Sequence, residues 1–226
     1  MRLLAAALAV LASVPALAQT QYADSSGGFA SLNEITLSGD GLQGLDGTVG
    51  YRFSNGTDLG LRIGYASGFN YDGTRLGVIT GVTRSVGAGF TGRLEGTVEY
   101  LTTGGVRSTF SDAGVFQNAF DYRFRSVRED VSATVGRRVP LLRSLALMPS
   151  VGGYAVARQL VSAEYPAGTF QVDGSTIAAG VQGELPLTFR LFGKDAAIAV
   201  FNRFGLTGAR TLGTDIPSGG RLRVNF

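Results

Sequence analysis

From Phe90 to Tyr100 the chain changes character at every residue. Phe90, Gly92, Leu94, Gly96, Val98 and Tyr100 form one series, and Thr91, Arg93, Glu95, Thr97 and Glu99 form the other. A helix would scatter those charges around its circumference, whereas a strand collects them on one face. The same period of two returns along most of the chain. The fold must therefore offer each strand an apolar medium on one side and a polar medium on the other, which selects an all-β architecture.

Taken in order, Phe29–Leu37 is a weak strand with Phe29, Ser31, Asn33, Ile35 and Leu37 on one side. Leu45–Phe53 sets Leu45, Gly47, Val49, Tyr51 and Phe53 against Asp46, Thr48, Gly50 and Arg52. Asn55-Gly56 then signals a hairpin, after which Leu59, Leu61, Ile63 and Tyr65 oppose Gly60, Arg62, Gly64 and Ala66. Leu76, Val78, Thr80 and Val82 share the next face, and a tight turn at Ser85–Gly87 leads into the Phe90 strand. Beyond the longest excursion, Thr102–Asn118, the residues Phe120, Tyr122 and Phe124 alternate with Asp121, Arg123 and Arg125. Val127, Val131, Ala133 and Val135 take the opposite parity, so a bulge is expected near Ser126.

Arg137–Ser144 reads as a turn around Pro140, where a strand would lose a ladder donor. Leu145–Arg158 is a strand with a change of phase near Gly152-Gly153, and Ile177–Phe189 follows with Gln182 and Glu184 on its polar face. Ala196–Phe204 is a strand whose facing stays open, because Phe201 and Arg203 share a parity. In the last strand Leu222, Val224 and Phe226 alternate with Arg221, Arg223 and Asn225. The count is about ten strands, an even number. Pairs such as Gly60/Gly64 and Gly92/Gly96 read as relief for strongly curved strands rather than as packed membrane helices.

Met1 to Ala18 holds Arg2, the apolar run Leu3–Leu11 and the small residues Ala16-Leu17-Ala18. These are the parts of a secretory signal peptide, with cleavage expected before Gln19. The run falls well short of the roughly 20 residues a spanning helix needs, and no later stretch reaches that length. Residues 19–28 read as a flexible polar lead-in, and 29–226 as one domain. Charged residues make up 16% of the chain, against about a quarter in an ordinary soluble domain. With 44% hydrophobic residues and 34 glycines, the mixture suits a wall that faces lipid. No Cys is present, so no disulfide framework can hold the fold. The near-neutral charge gives no clustered basic face for nucleic acid.

The alternating strands, the exported, charge-poor composition and the terminal Phe226 resemble the small bacterial outer-membrane β-barrels of the OmpA/OmpX type, a porin-like family. The resemblance covers almost all of the chain after the signal. It implies a closed antiparallel up-and-down transmembrane β-barrel in the outer membrane of a Gram-negative cell, with lipid and lipopolysaccharide as surroundings. It also implies that Phe226 is the signal read by the barrel-assembly machinery. The family type usually has about eight strands. That number would fit if Phe29–Leu37 stayed out of the wall and two other short runs merged.

With Phe226 on the periplasmic side, strand parity puts the gaps 38–44, 68–74, 102–118, 159–173 and 205–218 outside. The gaps at 54–57, 85–87, 137–144 and 190–195 fall inside. Long loops outside and short turns inside match this barrel class. Tyr51, Phe53, Phe90, Phe189, Phe192 and Phe226 then form an inner aromatic girdle, and Phe69, Tyr71, Tyr100, Tyr122 and Phe124 an outer one.

No His and no Cys are present, which removes His-dependent triads, thiol catalysis and the corresponding metal sites. The enzymes of the resembled class rely on a His, so the chain is expected not to be an enzyme and to carry no cofactor. Glu95 and Glu99 share a face but lie roughly 13 to 14 Å apart along the strand, too far for a hydrolytic pair. The polar faces instead predict a lumen network of Arg52, Arg62, Arg93, Glu95, Glu99, Arg123, Glu184 and Arg223, joined by Asp46, Asp121, Arg125 and Arg221. An eight-stranded barrel is just filled by its side chains, and an open channel takes about 16 strands. The expectation is a largely plugged barrel with a structural or surface-interaction role, meeting proteins or lipids at its outside loops. The alternatives are a narrow passive pore for small solutes and a soluble periplasmic β-barrel that binds an apolar ligand.

Overall fold

The structure, a computed structural model, describes residues 26–37, 42–68, 71–110, 116–165, 168–207 and 217–226. The signal peptide expected at 1–18 lies outside them. The strands are β1 Gly27–Leu37, β2 Leu42–Arg52, β3 Thr57–Gly68, β4 Tyr71–Gly87, β5 Phe90–Phe110 and β6 Phe116–Arg137. They continue as β7 Val139–Leu142, β8 Leu145–Leu147, β9 Ser150–Tyr165, β10 Gly168–Leu191, β11 Lys194–Thr207 and β12 Pro217–Asn225. Ten of them, all but β7 and β8, pair antiparallel with their neighbours, and β1 closes on β12 from Phe29↔Asn225 to Leu37↔Pro217. The result is a closed ten-stranded antiparallel barrel, without helices among the described residues. Phe29–Leu37 is a full member of the wall, which excludes the eight-stranded arrangement. The polar lead-in expected through Gly28 ends sooner, because β1 begins at Gly27.

Tight turns join the strands at one end. Gly56 sits at φ 73°, its amide donates to Phe53 O at 2.9 Å and Asn55 Oδ1 accepts from the Thr57 amide at 3.0 Å, a three-residue hairpin loop with Gly in the left-handed position rather than the two-residue Asn-Gly turn. The next turn is Ala88-Gly89, both at positive φ, just beyond the expected Ser85–Gly87. Phe192-Gly193 makes the third, again with both residues at positive φ. The expected turn at Arg137–Ser144 instead folds into a small hairpin, β7–β8. Pro140 is tolerated there because β7 is an edge strand paired only to β8 among the described residues.

At the other end the described parts of the gaps 102–118 and 159–173, read as long loops, are strand. β5 and β6 stay paired to Phe110↔Phe116, and β9 and β10 to Tyr165↔Gly168. With 21 residues in β5 and 24 in β10, against the 9–11 or so that cross a bilayer, these hairpins run far past any membrane.

The two faces of the wall are sharply different. Outward residues such as Leu61 and Ile63 are 61% and 67% exposed, while Asp46 and Arg52 inside are 0% and 2% exposed. This is a globular protein turned inside out, with its greasy side chains presented to the surroundings and its charges enclosed.

The bulge expected near Ser126 is present as a register shift between Arg125 and Ser126. The extra residue, however, is Val161 on the partner β9, since Arg125 pairs with Ser162 and Ser126 with Leu160. From Asn118 to Arg137, β6 itself keeps one facing, set by Thr103↔Phe124 and Glu99↔Arg128 against β5. Phe124 and Tyr122 therefore take the lumen parity, and Arg123 and Arg125 the outer one. What changes at Ser126 is the medium: above the lipid, water lies outside, and charged residues turn toward it. The phase change expected at Gly152-Gly153 does not occur, for pairing runs regularly through both glycines.

Candidate functional site: the charged lumen

Strand alternation delivers one polar side chain to the interior every second residue, and the pairings stack these into connected groups. The densest surrounds Asp58, the second residue of β3. Arg52 on β2, directly opposite, donates to it through Nε and Nη2 at 2.5 and 2.7 Å. Arg93 Nη1 donates to the same carboxylate at 2.9 Å and Arg223 Nη1 at 3.5 Å. Arg93 also grips Glu95 at 2.7 and 3.1 Å. Arg223 lies 3.8 Å over the ring of Phe29, a cation–π contact inside the lumen.

Toward the middle, Arg62 donates to Glu99 at 3.1 Å and Arg75 to Asp46 at 3.3 Å. Across the lumen, Arg203 on β11 forks onto Asp130 at 2.5 and 3.1 Å, donates to Gln182 at 2.9 Å and lies 4.7 Å over Tyr154. Arg128 donates to Asp130 as well, at 3.2 Å. Arg221 donates to Asn33 at 2.9 Å and comes within 3.6 Å of Glu184. Glycines make the room: a Cβ on Gly64 would collide with Asp46 Oδ1, and one on Gly77 would fall 2.7 Å from Glu99 Cγ. Gly64 and Gly77 thus seat charged side chains, which for Gly64 is a role beyond the relief of curvature expected of it.

Of the sequence-predicted network, Arg52, Arg62, Arg93, Glu95, Glu99, Glu184 and Arg223 come together, with Asp46 and Arg221. Arg123 does not: it lies on the outer parity of β6 and is exposed. Asp121 is exposed too, and Arg125 pairs at 2.7 Å with Glu164, both partly exposed. Asp58, Arg75, Arg128, Asp130 and Arg203 join the network beyond the sequence-predicted set. Parity beside Leu59 and Leu76 is a signal sufficient to find Asp58 and Arg75, whereas Arg203 needs its long-range register with Gln182.

The inner girdle stands as expected at Tyr51, Phe53, Phe90, Phe192 and Phe226, all exposed on the wall or its turns. At the other end Tyr100 is exposed as expected and Tyr65 joins it. Tyr122 and Phe124 stack instead on the lumen parity, 5.1 Å apart, with Tyr165 5.9 Å from Phe124. Phe69 lies outside the described residues, as does the Tyr71 side chain.

Between the groups remains a cavity of about 70 Å³, lined by Arg62, Arg75, Arg93, Arg128, Arg203 and Arg221 against Glu95, Glu99, Asp130 and Glu184. That is room for a few waters and no more. Among the described residues no cluster of His, Cys, Asp or Glu is arranged to hold a metal.

No family model and no curated protein matches this chain. Among solved structures it is similar to the translocator domain of the autotransporter NalP from Neisseria meningitidis. The TM-score is 0.59 at 13% identity, over 100% of this chain and 93% of that one. It is also similar to the β domain of the Bordetella autotransporter BrkA, with a TM-score of 0.50 at 13% identity over 90% of this chain and 100% of that one. Outward apolar walls, a charged interior and these neighbours agree: the chain has the fold of the bacterial outer-membrane β-barrels.

Proposed function

We propose that this protein is an integral barrel of the outer membrane with a plugged lumen, serving a structural or surface-interaction role through the hairpins that project beyond the lipid. The observation that carries the reading is the packing of the interior: among the described residues, interlocked Arg–carboxylate groups surround gaps of about 70 and 20 Å³. Its surroundings are then lipid and lipopolysaccharide, its insertion falls to the barrel-assembly machinery, and its partners are proteins or lipids met at the projecting end. It is read as non-enzymatic, because the interior carboxylates are held by guanidinium groups rather than left free for proton transfer.

A narrow passive pore is the second reading, favoured by the excess of arginine over carboxylate around the cavity, which would suit small anions. A translocator role, such as the NalP domain's name describes for that protein, would require the network to leave the lumen. The soluble ligand-binding barrel is disfavoured by the exposed apolar wall. Planar-bilayer recording of the refolded full chain separates the first two. The wild type is expected to stay silent, and Arg62→Ala combined with Glu99→Ala to show openings. Steady single-channel steps from the wild type would overturn the plugged reading in favour of the pore.

A further inference from the structure

We infer that the short-turn end of the barrel carries a cationic, apolar foot that seats in the anionic phospholipid headgroup layer: the β7–β8 hairpin together with the Phe192 turn. This rests on the membrane-barrel reading and adds a lipid partner to it.

Three observations converge. The first is apolar exposure. Val139, Leu141 and Leu142 of β7 are all exposed, Leu142 to 70%. β8 pairs Leu145 with Phe189 of β10, so the neighbouring β10–β11 turn lies at the level of the hairpin tip. There Phe192 is 97% exposed and held at φ 49°, a conformation that disfavours a bulky side chain. An Asn would suit that turn position far better, so this Phe stands against local preference and in full contact with the surroundings.

The second is charge. Arg137, Arg138, Arg143, Arg190 and Lys194 flank these apolar residues, all of them exposed. Of these, only Arg190 forms an ion pair among the described residues, with Asp195 at 3.6 Å. A basic rim around apolar side chains is complementary to a layer of phosphates over hydrocarbon.

The third is the backbone. β7 has a free edge among the described residues, and unpaired amides and carbonyls are excluded from hydrocarbon. The apolar side chains equally disfavour bulk water. The headgroup layer is the one medium that satisfies edge, side chains and charge together. The register Phe90↔Arg137 places the start of the hairpin just past the inner girdle, at that level.

The chain contains no Trp, so a single introduced one reports its own surroundings. Phe192→Trp and, on the hairpin, Leu142→Trp are refolded as full chains into phosphatidylcholine vesicles with and without phosphatidylglycerol, either lipid brominated near its headgroup. Leu61→Trp on the mid-wall serves as reference, and the heat-dependent gel mobility of closed barrels confirms folding. The expected result is blue-shifted emission from the Phe192→Trp and Leu142→Trp chains, quenched about twofold or more better by brominated phosphatidylglycerol than by brominated phosphatidylcholine. That preference should vanish when Arg137, Arg138 and Arg143 are all changed to Glu. If the Leu61→Trp reference is quenched by lipid while the Phe192→Trp and Leu142→Trp chains emit as in water, the foot is overturned, in favour of a protein-binding surface, and the membrane barrel stands. Quenching without preference for phosphatidylglycerol overturns the anionic partner. If the Leu61→Trp reference is not quenched in a folded barrel, both readings fall.

Discussion

At the scale of single residues, Asp58 is the point on which the interior depends. It is 1% exposed and accepts from Arg52, Arg93 and Arg223. Removing one partner of a buried ionic group leaves the others uncompensated, a loss of about 3–5 kcal/mol. Asp58→Asn keeps the shape and withdraws the charge from three guanidiniums, so urea unfolding from lipid vesicles should show a loss of that order. Glu184→Gln is the contrasting case. Its partner Arg221 is 3.6 Å away and a quarter exposed, so the loss should stay under about 1 kcal/mol. Equal losses at the two positions would show that the Asp58 cluster is not a hub. Asp58 was within reach of the sequence, since it precedes Leu59 on a strand whose alternation is plain. The apolar alternation, however, begins at Leu59, one residue after the carboxylate, and does not by itself bring Asp58 into the strand.

At the scale of elements, each wall strand is a boundary between lipid and a charged interior, and the outer face is tested by depth. Leu61 and Phe53 both point outward, Leu61 in the body of β3 and Phe53 at the short turn. An Arg at the bilayer midplane costs about 2–4 kcal/mol in such barrels and one near an interface about 0–1. Leu61→Arg should therefore destabilise the barrel by the larger amount and Phe53→Arg by the smaller, measured by the same vesicle unfolding. A reversed order would contradict the placement of the girdle at Phe53.

Alternation within one strand is a local property, and that is why the wall positions of β2, β3, β5 and β12 were legible in the sequence. Register is a property of two strands. The break in the pattern of β6 near Ser126 reflects the medium outside the wall, whereas the extra residue sits at Val161 on β9, and no single-strand period can tell a bulge from a change of medium. Arg123 reads as a lumen residue in the sequence for this reason. The facing of Ala196–Phe204 likewise became definite only through Gln182↔Arg203 and Glu184↔Phe201, which place both Phe201 and Arg203 inside. The gaps 102–118 and 159–173 read as loop for a related cause. Above the lipid both faces of a hairpin meet water, alternation of hydrophobicity fades, and paired strands such as 102–110 read as loop.

At the scale of the whole molecule, one arrangement explains composition, topology and site together. A closed barrel leaves no sheet edge along its wall to be satisfied in lipid, so apolar residues can face outward without a core behind them. The charge that remains is gathered inside, where opposite signs fill the space that strand number leaves. The ends are unlike one another: tight turns and the basic β7–β8 hairpin on one side, tall hairpins with an aromatic stack toward the mouth on the other. The central claim is that alternate residues of one strand see hydrocarbon and enclosed interior in turn. The absence of native cysteine allows spin labels to be placed singly at Leu94, Thr97 and Val98 of β5, in barrels refolded into vesicles. Accessibility to oxygen, which partitions into lipid, against a water-soluble nickel complex should be high at Leu94 and Val98 and low at Thr97. Labels at Leu94 and Val98 that collide freely with the nickel complex, or that match Thr97, would contradict the account.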